Sequence, residues 1–413
     1  MKTPFLSKEQ AESAARDWPT PWHIYDEKQI RDRARQLNEA FSWNPGFREY
    51  FAVKATPNPT ILKILHEENC GVDCSSLAEL EMSRRCGFEG DEIMFSSNAT
   101  PAEDFRKARE LDAVINLDDI SHIDFLERET GPLPEVICCR FNPGGNFVVS
   151  NDIMDNPEEA KYGMTREQLT EAFLRLKDRG VKRFGMHAFL VSNANTTLYY
   201  PKLAELLLRT AVELRDVTGI AVSFINLSGG VGIPYRPDEE ASDIAAIGTG
   251  VEAAFKRILQ PAGMGDVSIY TELGRWLLGP CGALVSRVLH LKHTYRDYVG
   301  LDACAANLLR PAMYGAYHHI TVLRAGAGRP DAVYDVTGGL CENNDKFAVQ
   351  RTLPEVRIGD LLYIHDTGAH GFAMGYNYNG KLRSAELLLQ EDGQIRQIRR
   401  AETVDDYFAT LDF

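Results

Sequence analysis

Apolar and polar positions alternate on two length scales along most of this chain. From about Tyr25 to Glu272, short apolar runs end in polar or glycine residues and are followed by longer segments with helical period. "EYFAVKA" precedes "PTILKILHEEN", "GVDCSS" precedes "LAELEMSRRCG", "EIMFSSN" precedes "PAEDFRKARELD", and "AVINLDD" precedes "ISHIDFLERETG". Farther on, "EVICCRFNPG" leads through a loop to "TREQLTEAFLRLKDRG", "RFGMHAFLV" to "YYPKLAELLLRTAVELRDVTG", and "FINLSGG" to "DIAAIGTGVEAAFKRIL". "SIYTELGR" closes the series. A short apolar run followed by an amphipathic segment reads as one βα unit. About eight such units over about 250 residues predict a closed parallel (β/α)8 barrel, with an open doubly wound sheet as the structural alternative. From about Trp276 the runs are short, β-rich and separated by turns, as in "CGALVSRVLHLKHTY", "AVYDVTGG" and "GDLLYIHDTG". These predict an antiparallel β domain, and the early "PWHIYDE" resembles one more strand for it. The expected division is a barrel over 26–274 and a β domain from 1–25 plus 275–413.

A barrel of this kind carries its functional groups just after the strands, at the carboxyl-end face. Lys54, Asp73, His187, the glycines after Leu227, and Glu272 all fall at such places. A lysine closing an apolar strand is either a solvated strand end or a reagent. An uncharged amine condenses with an aldehyde to an imine, and a partly dry barrel mouth is expected to lower the Lys54 pKa toward that form. The aldehyde cofactor of amino-acid chemistry is pyridoxal phosphate. It needs a seat for its phosphate, a partner for its pyridine nitrogen and a surface for its flat ring. "NLSGGVGIPY" offers the first, because Gly229, Gly230 and Gly232 let backbone N–H groups close around an anion; a plain turn is the rival reading. It is not a dinucleotide fingerprint, since Tyr235 breaks the spacing after Gly230 and Gly232. Glu272 of "TELGR" is either the carboxylate that keeps a pyridine nitrogen protonated or a surface residue. His187 is either a ring-stacking residue or a structural histidine. Arg310 and Tyr314 of "NLLRPAMYG" suit a carboxylate, or an ordinary salt bridge. Cys341, beside Glu342 in "GGLCENNDKF", is either core filler or a proton donor.

Composition narrows the classes. At 413 residues the chain is too long for one small domain. A net charge of -14, without any block of Lys or Arg, argues against nucleic acid and anionic membranes as partners. No apolar run approaches the roughly 18–20 residues that span a bilayer. "MKTPFLSKEQAESAARDWP" has charges where a signal peptide needs an apolar core, so a cytoplasmic location is expected. The eight cysteines form no CxxC pair and no zinc spacing, and no metal is expected.

Taken together, these motifs resemble the fold-type III pyridoxal-phosphate decarboxylases of basic amino acids, and most of all diaminopimelate decarboxylase. The resemblance runs from "TPWHIYDE" through "YFAVKAT", "GVDCSSLAEL", "KYGM", "NLSGGVG", "TELGR", "RPAMYGAYHH" and "LCENND" to "TGAHGFAMGYNYNGKLRSAE". It implies the alanine racemase/ornithine decarboxylase-like arrangement of a barrel followed by a β domain. It implies that Lys54 forms the internal aldimine with pyridoxal 5'-phosphate and that Asp73 and His187 pack about the ring. Ser228, Gly229, Gly230 and Gly232, with Gly274 and Arg275, would hold the phosphate, and Glu272 would pair with the ring nitrogen. Arg275, Arg310 and Tyr314 would grip a carboxylate at the far end of the amino-acid substrate. Cys341 and Glu342 would enter the site from the other subunit of an obligatory homodimer, Cys341 reprotonating the carbanion and Glu342 meeting the distal amine. The reaction so implied is loss of carbon dioxide from meso-2,6-diaminopimelate to give L-lysine, by way of aldimine and quinonoid.

Several positions depart from the family pattern. "HAFLVSNAN" stands where "HIGSQ" is usual, "ELGR" for "EPGR" and "SGG" for "GGG". His370 stands where a phosphate-binding tyrosine is usual, with Tyr376 or Tyr378 placed to compensate, and Cys304 replaces a glycine. These mark a divergent branch. They leave open a same-fold decarboxylase of another amino acid or of a carboxylated polyamine. A pyridoxal-phosphate carrier without turnover is the reading from another class, and it has no use for a distal-carboxylate clamp.

Overall fold

The computed structural model of the chain describes residues 2–145, 157–323 and 329–413. The chain divides into two compact units: Arg31–Ile233 with Ala241–Trp276, and the N-terminal residues to Ile30 with Pro234–Glu240 and Leu277–Phe413. The first strand, β1 (Trp22–Asp26), belongs to the second of these.

The first unit is a closed barrel of parallel strands: β2 (Arg48–Ala52), β3 (Gly71–Cys74), β4 (Ile93–Ser96), β5 (Val114–Leu117), β6 (Val136–Arg140), β7 (Arg183–His187), β8 (Phe224–Asn226) and β9 (Ser268–Thr271). Strand β9 returns to pair with β2 and closes the ring. The strands read as continuous apolar runs because a barrel strand is covered on both faces, by its interior and by the helices outside. Those helices start where the sequence provides caps. Asn58 accepts from the N–H of Thr60, Ser76 from that of Glu79, and Thr165 forms a reciprocal capping box with Gln168.

Register decides what meets at the barrel mouth. Arg140 is opposite His187, His187 opposite Asn226, and Ala52 opposite Asp73. The polar residues that end these apolar runs are therefore brought to neighbouring strand ends, as a parallel barrel requires. Below them, Tyr50, Met94, Val114, Cys138 and Phe224 pack into an interior plug. Tyr270 stacks on Phe224 at 4.8 Å and meets Tyr50 edge-on at 5.0 Å. Such contacts stiffen the floor on which the site stands.

The second unit is a nine-stranded sheet built on β1, with β10 (Gly282–His293), β11 (Asp297–Leu301), β12 (Ile320–Leu323), β13 (Asp331–Thr337), β14 (Lys346–Pro354), β15 (Leu361–Ile364), β16 (Ala385–Leu389) and β17 (Ile395–Arg399). Strand β1 does join it, antiparallel to β10 and parallel to β16. The β11–β13 pair is also parallel. The sheet is thus mixed and largely antiparallel. Pairing direction is invisible in local periodicity when strands meet across long connections.

Candidate active site

Strand β2 stops at Ala52, and the 3-10 turn Val53–Ala55 carries Lys54 off its end. Lys54 is therefore not the last residue of the strand but the middle of a turn. Its side chain is about half exposed, and Nζ donates to the buried Oδ2 of Asp73 at 3.2 Å. A cavity of about 230 Å³ opens here, with Lys54, Asp73, Ser96, Arg140, His187 and Glu272 in its lining. Ser228, Tyr162 and Phe189 also line it.

Glu272 follows β9 and is buried. Its carboxylate accepts from Asn226 Nδ2 at 2.8 Å and Ser228 Oγ at 3.0 Å, and His187 Nε2 lies 3.3 Å away. Burial alone would raise its pKa, but His187, Lys54 and Arg140 outweigh this and hold it below the usual carboxylate range. Asp73 is driven the other way, by burial and then by the nearby charge of Glu272. Burial lowers the pKa of His187, against the pull of Glu272. For Lys54, burial lowers the pKa, but the carboxylates of Asp73, Glu272 and Glu79 overcome it and raise the value. This reverses the expectation of a lowered lysine pKa, because a mouth that is dry is also lined with carboxylates.

The glycine loop after β8 has a structural cause of its own. Gly230 has φ +113°, and a Cβ there would sit 2.7 Å from the carbonyl of Val191. A Cβ on Gly232 would fall 2.8 Å from the N–H nitrogen of Asn195. The loop lies against segment 191–195, where Ala194 donates to Gly230 O and accepts from Gly232 N. The N–H of Ser228 donates to Asn226 Oδ1 at 2.7 Å. The donors of Ser228 and Gly232 are thus engaged inside the protein. Gly229 approaches the Glu272 backbone, where a Cβ would be 2.7 Å from its carbonyl. The divergent "HAFLVSNAN" segment is the partner that shapes this loop.

Gly274 and Arg275 begin the short helix Gly274–Leu278 after Glu272. The remaining sequence-derived candidates lie in the other unit. Arg310 is buried at the start of the helix Arg310–Tyr314, and Tyr314 at its end is exposed. Cys341 is exposed, and its N–H donates to Asn379 Oδ1 at 2.8 Å. Cys341 and Glu342 line a second cavity of about 490 Å³, together with Lys292 and Lys346. Tyr378 is exposed in the turn Tyr378–Gly380, and His370 adopts φ +56°.

Sequence reasoning missed three residues here. Arg140 is buried, donates to Asp118 Oδ1 at 2.9 Å and faces the cavity. It has the signature used for Lys54, a charge ending an apolar run in "VICCR". Asn226, the donor to Glu272, hides inside "FINLSGG". Glu49 is fully buried and accepts from the N–H of Leu273 at 2.7 Å and from the Thr271 hydroxyl, which ties β2 to the turn that presents Glu272. Its pKa is pushed up to about 8, chiefly by burial.

The lining also tests whether pyridoxal phosphate fits. Among the described residues, Asp73 Oδ1, His187 Nδ1 and Arg140 Nε are buried polar atoms without a hydrogen-bond partner. Orphaned polar atoms in a cavity wall call for a polar ligand. With an amine at Lys54 and a carboxylate held ionised at Glu272, the set suits that cofactor. A sequence model described as "Pyridoxal-dependent decarboxylase, pyridoxal binding domain" matches residues 27–279. The chain belongs to this family. It is a pyridoxal-phosphate-dependent carboxy-lyase of the diaminopimelate decarboxylase type. It is 42% identical to Protein TabA of Pseudomonas amygdali pv. tabaci, over 94% of this chain and 90% of that one. It is 34% identical to the diaminopimelate decarboxylase of Methanothermobacter thermautotrophicus, over 95% and 91%. The M. jannaschii diaminopimelate decarboxylase, solved with L-lysine, superimposes with a TM-score of 0.90 at 27% identity, covering 98% of this chain and 94% of that one. No helix among the described residues is long and apolar enough to cross a membrane.

Proposed function

We propose that this decarboxylase acts on meso-2,6-diaminopimelate or a close analogue with a distal carboxylate, giving L-lysine or its counterpart, with its substrate role in lysine biosynthesis. The observation that carries the reading is the near end-to-end likeness to diaminopimelate decarboxylases, together with Arg310 and Tyr314 on one short helix. The 42% identity to Protein TabA favours a second reading, a related amino acid of a specialised pathway.

Pyridoxal phosphate, when bound, supplies the electron sink for the pair left behind by carbon dioxide. The chain does the rest. Lys54 provides the amine that holds the cofactor. Its proton has a place to go, because Asp73 Oδ2 is 3.2 Å away and has a raised pKa. Glu272, kept anionic by its surroundings, would pair with the cofactor's ring nitrogen and favour its protonated form. His187 and Asp73 would flank the bound cofactor, and Ser228, Gly229, Gly230, Gly232, Gly274, Arg275, His370 and Tyr378 would hold its remaining groups. Arg275, Arg310 and Tyr314 bind the distal carboxylate and so fix which bond is aligned to break. A homodimer would complete the site, with Cys341 of the partner subunit as the proton donor to carbon and Glu342 of the partner subunit meeting the distal amine.

Arg310→Ala tests the substrate reading. It is expected to lower kcat/KM for meso-diaminopimelate by about 1.5–3 kcal/mol, or about 10- to 150-fold, the size of a charged hydrogen bond. Unchanged steady-state kinetics would remove the distal carboxylate from the account.

A further inference from the structure

Arg310 is 3% exposed, and Tyr235 and His318 are among the neighbours that place its guanidinium. It lies over the ring of Tyr235, 4.6 Å from the centroid, and Nη1 donates to Nε2 of His318 at 2.8 Å. His318 is fully buried, and its other nitrogen, Nδ1, is 2.8 Å from the carbonyl oxygen of His365. A carbonyl only accepts and an arginine only donates. The proton therefore sits on Nδ1, and Nε2 presents a lone pair to Arg310. Two neighbours specify a single tautomer of a neutral imidazole.

The imidazole is itself well anchored. His318 and His365 flank the paired strands β12 and β15, where Ile320 is opposite Ile364, and the N–H of His365 donates to His319 O at 2.9 Å. Arg351 Nη1 donates to the carbonyl of His318 at 3.0 Å. Tyr235 meets the His318 ring edge-on at 5.1 Å. A carboxylate in this place would orient Arg310 but also offset its charge. A neutral acceptor orients the planar fork while adding no negative charge, which suits an arginine that must still bind an anion.

We propose that His318 is a positioning residue for distal-carboxylate recognition, holding the guanidinium of Arg310 in the orientation that receives the substrate. This rests on the reading above that Arg310 meets the distal carboxylate.

The test uses the holoenzyme and two competitive probes of equal chain length: 2-aminopimelate, which ends in a carboxylate, and 2-aminoheptanoate, which ends in a methyl group. His318→Phe and His318→Met remove the acceptor in two different shapes, so the result does not hang on one variant folding. His318→Gln keeps an acceptor. The Phe and Met variants are expected to weaken 2-aminopimelate about tenfold while 2-aminoheptanoate stays within about twofold, and the Gln variant to recover most of the loss. The cofactor absorbance spectrum should be unchanged in all three. Equal weakening of both probes, or of neither, would overturn the positioning role. Arg310→Ala separates the two ideas. If it leaves the ratio of the probes unchanged, the distal-carboxylate reading falls. If it collapses that ratio while the Phe and Met variants do not, only the role of His318 falls.

Discussion

Lys54→Ala is expected to lower turnover by at least about 1,000-fold and to leave no cofactor that borohydride can fix to the chain. The reason lies in the local structure. Lys54 stands on a 3-10 turn just past β2, with its amine donating to the buried carboxylate of Asp73. Alanine at that point changes no core packing, because the lysine side chain is about half exposed. The variant should therefore fold with unchanged far-UV dichroism, and the loss should be chemical. Asp73 loses its salt-bridge partner, and its raised pKa should rise further. A variant that still yields a borohydride-stable adduct, mapped by peptide mass, would show that another amine holds the cofactor.

Glu272→Gln has the second largest expected effect, a fall in kcat of about 100- to 10,000-fold with the cofactor still bound. The substitution is nearly isosteric. It removes the one carboxylate in the cavity that its surroundings hold ionised. A glutamine has one acceptor oxygen, whereas Glu272 takes hydrogen bonds from both Asn226 and Ser228. Its NH2 group would face a donor, so some stability should be lost as well. The electrostatic consequences have definite signs. Asp73 should titrate at lower pH once the neighbouring charge is gone, and Lys54 should lose part of the stabilisation of its ammonium form. The pH profile of kcat/KM would report the Asp73 shift, and titration of the cofactor-free protein the Lys54 shift. Near-normal kcat in Glu272→Gln would mean that the carboxylate does not act on the cofactor.

The fold was legible because each barrel strand is an apolar run ended by a polar or glycine residue, a pattern that only buried parallel strands produce so regularly. Lys54, Asp73, His187 and Glu272 could be picked out because strand ends converge in a barrel. Arg140 carried the same signal and was passed over for want of a chemical role. Glu49 was not legible. It precedes the apolar run of β2, and nothing local says that the Leu273 N–H and the Thr271 hydroxyl will reach it from a strand more than two hundred residues away. The sign of the Lys54 pKa shift was hidden for a similar reason. It depends on how many carboxylates share the mouth, which is a property of the register and not of the "FAVKAT" segment. The glycines after Leu227 were visible, but what demands Gly230 and Gly232 is segment 191–195, whose contact with the loop no spacing rule encodes.

The measurement that tests the central claim most directly is carbon dioxide release by the holoenzyme from meso-diaminopimelate, set against D- and L-lysine, ornithine, arginine and carboxynorspermidine. Release from meso-diaminopimelate well above all the others, with L-lysine as product, is the expected result. Saturation with cofactor but no release from meso-diaminopimelate would contradict the proposed substrate.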